Sequence, residues 1–370
     1  MPSPDRALVL VAAGGTGGHL FPAEALATAL AKRDIHIHLA TDRRAAHFGG
    51  GFAEDAVHVI ASATLRGRGP LAMASTGSSL ALGVAQGWAL IGRLKPAAVV
   101  GFGGYPTVPP VLAASWRGVP TLIHDANAVL GRANRFLAPR VTAIATTFPN
   151  VLRDRPQLAA KVTLTGNPLR PAVLAAAATP YPAITGSLHL LVFGGSQGAR
   201  VMADVVPLAV GLLDPALRAR LAIVQQSREE DLQRVRHAYS ELGVAADVAP
   251  FFADLPARMA ASHLIVARSG AGTVAELSAI GRPAILVPLP HALDQDQFAN
   301  AGVLQSIGGA IRVPQTEFAP RRLADEIAAL AVAPQRLEDM AVAAQSLGRR
   351  DAADRLADLV LEVAGIKSNT

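Results

Sequence analysis

His19 closes the turn Gly14-Gly15-Thr16-Gly17-Gly18-His19, where a short apolar run gives way to a helical pattern. An imidazole in that place can take up a proton or donate to a phosphate. Ser196 and Gln197 sit inside a second turn of the same kind, Gly194-Gly195-Ser196-Gln197-Gly198-Ala199-Arg200, about half a chain away. A third turn, Arg268-Ser269-Gly270-Ala271-Gly272-Thr273-Val274-Ala275-Glu276, contains a Thr-x-x-Glu spacing. That spacing reads either as a helix capping box or as a carboxylate that accepts two ribose hydroxyls. Further on, Asp294, Gln295, Asp296, Gln297 and Asn300 follow an apolar run in a loop. Acid and amide groups of this kind match sugar hydroxyls.

Glycines at such turns let the backbone bend sharply and approach a ligand, while the free N–H groups at the next helix start attract phosphate. Neither of the first two turns carries the Lys of a Walker loop, and Leu20 stands where a dinucleotide fingerprint needs its last glycine. Asp294-Gln295-Asp296 imitates the D-x-D of metal-dependent glycosyltransferases, but that motif belongs to a single-domain architecture and reads here as a coincidence.

The elements that must position these residues are legible as alternating apolar runs and helical patterns. Runs at 7–13, 35–40, 57–60, 97–100, 121–124 and 141–146 read as buried parallel strands. The turn Thr165-Gly166-Asn167-Pro168-Leu169-Arg170 leaves that series. A second series runs through 188–193, 221–225, 247–249, 264–267 and 284–288, and the tail from Pro334 to Val363 reads as continuous helix. The fold class is α/β: two Rossmann-like, doubly wound parallel-sheet domains facing a cleft. Expected boundaries are 1–166, 167–345 and a C-terminal helical segment, 346–370, returning to the first domain. A chain of 370 residues, 51% apolar, fills two such cores.

Charge is unevenly spread. Between Ala61 and Asn150 eight basic residues (Arg66, Arg68, Arg93, Lys95, Arg117, Arg132, Arg135, Arg140) face the single acid Asp125, a local +7 in a chain of net +6. Such a field attracts anionic partners. Aromatic content of 4% argues against a base-stacking nucleic-acid surface. No cysteine is present, which removes disulfides, thiolate catalysis and Cys-zinc sites, and suits a reducing compartment. His36, His38 and His58 fall on strand patterns and read as structural, so no metal is expected. The start of the chain reads as a buried strand and not a signal peptide, which implies a cytoplasmic protein. Leu71 to Gly92 is uncharged over 22 residues, yet too diluted by Ser, Thr, Gly and Gln to insert. Leu80, Val84, Trp88 and Ile91 form one stripe of a helix that either packs on the sheet or dips into an anionic membrane.

Together with Phe21-Pro22, Gly101-Phe102-Gly103-Gly104-Tyr105, His124-Asp125-Ala126-Asn127 and Gly166 to Arg170, the three turns and Gln297 with Asn300-Ala301 carry a resemblance over nearly the whole chain. In that order they resemble the MurG family of bacterial N-acetylglucosaminyltransferases, GT-B enzymes of glycosyltransferase family 28. The resemblance implies an inverting transfer of N-acetylglucosamine from UDP-N-acetylglucosamine to the C4 hydroxyl of a lipid-linked muramoyl pentapeptide, without cofactor or metal. It implies that Ser196, Gln197 and Ala271, Gly272, Thr273, Val274, Ala275 and Glu276 hold UDP, with Glu276 on ribose and the backbone at Phe252 facing uracil. Arg170 would sit by the nucleotide, and Thr16, Gly17, Gly18, Asn127 and Gln297 would contact the donor. His19 and Asp125 are the candidate bases. The family pattern His-Glu-Gln-Asn reads His124-Asp125-Ala126-Asn127 here. Implied partners are an anionic membrane surface at its cytoplasmic face and other cell-wall synthesis proteins, with no nucleic acid. Other readings stay open: another UDP-sugar enzyme such as a UDP-N-acetylglucosamine 2-epimerase, an NAD(P) dehydrogenase using Asp42 or Arg43 and Arg44, or a nucleotide-sugar sensor.

Overall fold

The computed structural model describes residues 7–14, 17–43, 52–62, 70–195 and 198–367. The chain divides into two compact units, one of residues 1–170 with 350–370 and one of residues 171–349.

In the first unit the strands are β1 (Leu8–Ala12), β2 (His36–Thr41), β3 (Val57–Val59), β4 (Ala98–Gly101), β5 (Thr121–Asp125), β6 (Ala143–Thr146) and β7 (Val162–Leu164). The helices are α1 (Gly17–Ala31), α2 (Pro70–Leu94), α3 (Val108–Trp116) and α4 (Arg132–Leu137). Among the described residues these strands all pair in parallel, in the order β3-β2-β1-β4-β5-β6-β7. Parallel strands need both faces covered, which explains runs such as Val9 to Ala12 with no exposed position.

The second unit begins with α5 (Pro171–Ala177) and continues β8 (Leu188–Phe193), α6 (Arg200–Gly211), α7 (Pro215–Arg218), β9 (Leu221–Gln226), α8 (Leu232–Glu241), β10 (Ala245–Ala249) and α9 (Leu255–Ala261). It ends with β11 (Leu264–Ala267), α10 (Ala271–Ile280), β12 (Ala284–Leu286), α11 (Asp296–Ser306), β13 (Ala310–Arg312), α12 (Pro320–Ala331) and α13 (Pro334–Ser346). Its order, β10-β9-β8-β11-β12-β13, repeats the doubly wound plan of the first unit. In both sheets the winding reverses beside the first strand, between β1 and β4 and between β8 and β11. Ligands of open α/β sheets collect at the carboxyl ends of the strands there.

The tail departs from the expected continuous helix. A break at 347–351 separates α13 from α14 (Ala352–Ala364). At Gly348 a Cβ would stand 2.6 Å from the Ser278 carbonyl oxygen, so the chain leaves α13 through a residue that must be small to pass α10. Beyond it α14 belongs to the first unit, where Leu356, Ala357 and Val360 join Leu20, Leu26 and Leu30 in one apolar cluster. Arg33, in the turn after α1, donates to Asp354 at 2.9 Å and Asp358 at 3.0 Å along the same seam. Two short strands, β7 and β13, have no long apolar run of their own and were outside the sequence expectation.

The α2 stripe divides between the two readings, with Ile91 buried and Trp88 exposed. Gly83, Gly87, Leu90 and Ile91 form its buried side, and Gly87 lies against Pro109, Pro110 and Ala113 of α3. Small residues four apart let the two helix backbones approach, and this turns Trp88 outward. Trp88 is 42% exposed and Arg117 lies over its ring at 4.3 Å. Leu82, Trp116 and Phe136 are exposed as well, with Arg140 over Phe136 at 4.4 Å. Among the described residues no helix is long and apolar enough to cross a membrane. Arg66 and Arg68 lie outside the described residues.

Candidate active site

At the switch point of the first unit, the β1 strand runs into Gly14, where a Cβ would press on Pro106 and Asp42 at 3.0–3.1 Å. Gly17 and Gly18 then open α1, and His19 follows within its first turn rather than capping it. Thr16 lies outside the described residues. Across from His19, the loop after β4 carries Gly103 and Gly104 with φ of +86° and +73°, a left-handed path that glycine adopts without strain. A Cβ on either would come within 3.4 Å of the His19 ring, so the imidazole lies flat against this glycine pair. Its Nδ1 is enclosed without a hydrogen-bond partner. Burial holds the ring below the ordinary histidine pKa of 6.5, with a backbone contact to Phe102 acting the other way. A neutral imidazole is the form that accepts a proton.

The β5 strand delivers His124 and Asp125, both buried. His124 Nε2 pairs with the Gly166 carbonyl at 3.0 Å, which requires the proton on Nε2 and leaves Nδ1 as an acceptor. That Nδ1 has no partner, and burial pushes the His124 pKa down to about 4. Asp125 has its carboxylate filled by donors. Oδ1 accepts the Asn127 N–H at 3.0 Å, while Oδ2 accepts the Gly131 N–H at 2.9 Å and Asn134 Nδ2 at 3.0 Å. Burial raises its pKa and these donors oppose the rise. The bonds shape the turn that presents Asn127, which is half-buried at the end of the strand. Arg170, at the end of this unit, lays its guanidinium over the Phe21 ring at 4.5 Å.

In the second unit β8 runs into Gly194, where a Cβ would stand 2.2 Å from the Ala199 nitrogen. Ser196 and Gln197 lie outside the described residues. At the matching point β11 leads into α10, whose start differs from a capping box. Gly270 is the N-cap, without a side-chain cap, and Thr273 lies inside the first turn. Val274 N–H bonds the Gly270 carbonyl at 3.0 Å, and the Val274 side chain is fully buried. Helix geometry therefore assigns the free donors to Ala271, Gly272 and Thr273, whereas Val274 and Ala275 serve the helix itself. Around Gly270 and Gly272 an added Cβ would meet nothing within 4 Å, so open space faces the helix start. Glu276 is half-buried one turn further on.

The loop ahead of α11 is held to that helix start. Ser269 Oγ donates to the Gln297 carbonyl at 2.8 Å and Asn300 Nδ2 donates to the Ser269 carbonyl at 3.2 Å. Gln297 uses its Oε1 to accept the Leu289 N–H at 3.0 Å, which leaves its amide NH2 as the group to offer a ligand. Asp294 and Gln295 both take left-handed backbone angles, φ +57° and +52°, an uncommon strain just before α11. Arg268 is buried beneath, donating to the carbonyls of Val287 at 3.0 Å and Pro288 at 3.1 Å. Phe252 is buried, with Arg258 over its ring at 4.3 Å. Sequence reasoning gave no role to Asn134, Gln226 or Arg268. Asn134 and Gln226 carry no pattern of their own, and only their bonds to neighbouring loops mark them. Among the described residues no group of three or more His, Asp or Glu side chains could hold a metal. His38 and His58 instead bond to each other, Nδ1 to Nε2 at 2.8 Å.

Residues 9–146 match the glycosyltransferase family 28 N-terminal domain and residues 189–356 the family 28 C-terminal domain. The chain belongs to glycosyltransferase family 28. Within the family it is 63% identical to a UDP-N-acetylglucosamine--N-acetylmuramyl-(pentapeptide) pyrophosphoryl-undecaprenol N-acetylglucosamine transferase of Rhodopseudomonas palustris, over 98% of this chain and 97% of that one. The like-named protein of Bradyrhizobium diazoefficiens is 62% identical over 97% of this chain and 99% of its own. A crystal structure of Acinetobacter baumannii MurG superposes with a TM-score of 0.80 at 28% identity, covering 96% of this chain and 99% of that one. A UDP-N-acetylglucosamine 2-epimerase from Neisseria meningitidis shares the fold alone, at TM-score 0.68 and 15% identity over 96% of this chain and all of the other. This family 28 chain therefore has the two parallel-sheet units of a GT-B glycosyltransferase.

Proposed function

We propose that this family 28 glycosyltransferase moves N-acetylglucosamine from UDP-N-acetylglucosamine to the C4 hydroxyl of undecaprenyl-diphospho-N-acetylmuramoyl-pentapeptide, converting lipid I to lipid II in peptidoglycan synthesis. The observation that carries this is identity above 60% along almost the full length of relatives named for that transfer.

Transfer with inversion is one in-line displacement. The acceptor oxygen bonds to the anomeric carbon, the bond from that carbon to the diphosphate breaks, and UDP leaves with the electron pair. His19 takes the hydroxyl proton, because its burial keeps the ring neutral and ready to accept one. Asp125 acts through its neighbours, holding the Asn127 turn and Asn134 in place. The charge that develops on the diphosphate falls to the N–H groups of Ala271, Gly272 and Thr273 and to Ser196 and Gln197, with no metal required. Glu276 accepts the ribose hydroxyls, the backbone at Phe252 reads uracil, and Arg170 lies beside the nucleotide. Thr16, Gly17, Gly18, Asn127 and the Gln297 amide complete the donor site. The unit of residues 1–170 with 350–370, expected from the sequence as 1–166 with 346–370, takes the acceptor and docks on the membrane, and that of 171–349, expected as 167–345, binds the donor.

Trp88, Trp116, Leu82 and Phe136, interleaved with Arg117 and Arg140, suit the cytoplasmic face of a bilayer with anionic lipid, where the acceptor's polyprenyl chain is anchored. Other cell-wall synthesis proteins are expected beside it. The test is incubation with UDP-N-acetylglucosamine and a lipid-linked muramoyl pentapeptide. Acceptor-dependent release of UDP supports the reading, and release without acceptor, or none, removes it.

A further inference from the structure

Gln226 ends β9, the strand between β8 and β10, and its side chain reaches both ways. Its Oε1 accepts the N–H of Gly194 at 3.0 Å, and its Nε2 donates to the Pro250 carbonyl at 3.2 Å. The residue is only 8% exposed. Gly194 begins the turn that enters α6, and Pro250 begins the segment that leads to Phe251 and Phe252. Neither loop is joined to the other by strand pairing, since β8 and β10 lie on opposite sides of β9. One amide therefore fixes the spacing between them. A carboxamide suits this task because it accepts at one atom and donates at the other without charge.

We propose that Gln226 is a positioning residue that sets the distance between the diphosphate-binding turn and the base-reading segment, and so helps select uracil. The inference rests on the uridine diphosphate reading given above. Backbone readout of a base works only when its donor and acceptor are held within about 0.5 Å of the productive place. A nucleotide whose diphosphate is held at one loop presents its base to the other at a fixed reach. If the two loops drift relative to each other, any pyrimidine or purine diphosphate fits about as well.

Calorimetric titration of UDP, CDP and ADP into the wild-type chain, Gln226→Met and Gln226→Glu tests this. Gln226→Met fills the same space without either bond, and Gln226→Glu keeps the acceptor for Gly194 while losing the donor to Pro250. Both variants are expected to bind UDP about tenfold more weakly and to lose about tenfold in preference for UDP over CDP and ADP, the worth of one well-placed hydrogen bond. With saturating donor, kcat should stay within about twofold while KM rises. A general loss of stability would weaken all three nucleotides alike. An unchanged UDP preference in either folded variant overturns the inference. Failure of the wild-type chain to bind UDP overturns the nucleotide reading and this inference with it.

Discussion

The two units share one plan, a strand that ends in glycines and feeds a helix at the point where the winding reverses, yet they fill it differently. In the first unit the half-buried His19 and the buried His124 and Asp125 gather near the ends of β1, β4 and β5 with their proton affinities displaced, and α4 adds the buried Asn134. The ends of β8 and β11 instead offer uncharged donors, with open space around Gly270 and Gly272. Burying ionisable groups costs free energy that a purely binding surface need not meet. In the proposed reaction this contrast corresponds to proton transfer in one unit and the holding of a charged leaving group in the other.

The sharpest way to break this contrast is His19→Ala. Loss of a general base lowers kcat about 10²- to 10⁴-fold with donor KM nearly unchanged, as read from UDP release. Near-normal turnover would remove proton chemistry from the first unit. The pH dependence of activity follows the same group: with its pKa held below 6.5, His19 stays neutral and activity persists as pH falls through 6.5, declining only at its lower folded value.

Stability sharpens the comparison next. His124 titrates near 6.5 when unfolded and at about 4 in the fold, so between those values the unfolded chain binds the extra proton. Stability from this group is therefore complete above pH 6.5 and falls as pH drops toward 4, by up to about 1.4 kcal/mol per pH unit and about 3 kcal/mol in all. Urea unfolding at a series of pH values should show that slope, and His124→Gln, which keeps a donor for the Gly166 carbonyl, should flatten it.

On the other side of the contrast, Glu276→Ala should raise the KM for UDP-N-acetylglucosamine about tenfold with a smaller change in kcat, measured by initial rates. The smallest effect expected is on the proposed membrane face. Trp116→Ala should weaken binding to vesicles containing anionic lipid about threefold to tenfold, and raised salt should weaken it further. Sedimentation with vesicles reads both, and equal binding to neutral vesicles would contradict a basic docking face.

Much of the fold is legible in the sequence because parallel strands buried on both faces must be continuous apolar runs, as Val9 to Ala12 and Leu264 to Ala267 are. What the sequence conceals depends on contacts between distant elements. The break after α13 follows from how closely Gly348 passes α10, and nothing in the local pattern marks it. The α2 stripe leaves its packed side undecided in the sequence, and the buried glycines at 83 and 87 choose that side and leave Trp88 outside. The Thr-x-x-Glu spacing suggests a cap at Thr273, but the helix starts two residues earlier at Ala271. For the candidate site, glycines and histidines announce themselves by type and spacing. The saturation of Asp125 by Asn127, Gly131 and Asn134 shows only in three dimensions.

The central claim is that one chain couples release of UDP to formation of a sugar bond on a lipid-linked acceptor. Supplying radiolabelled UDP-N-acetylglucosamine with the lipid-linked muramoyl pentapeptide and counting both products tests it directly. One UDP released per labelled sugar joined to the C4 oxygen of the muramoyl residue is the result expected. UDP appearing without acceptor, or a free sugar epimerised at C2, would contradict it.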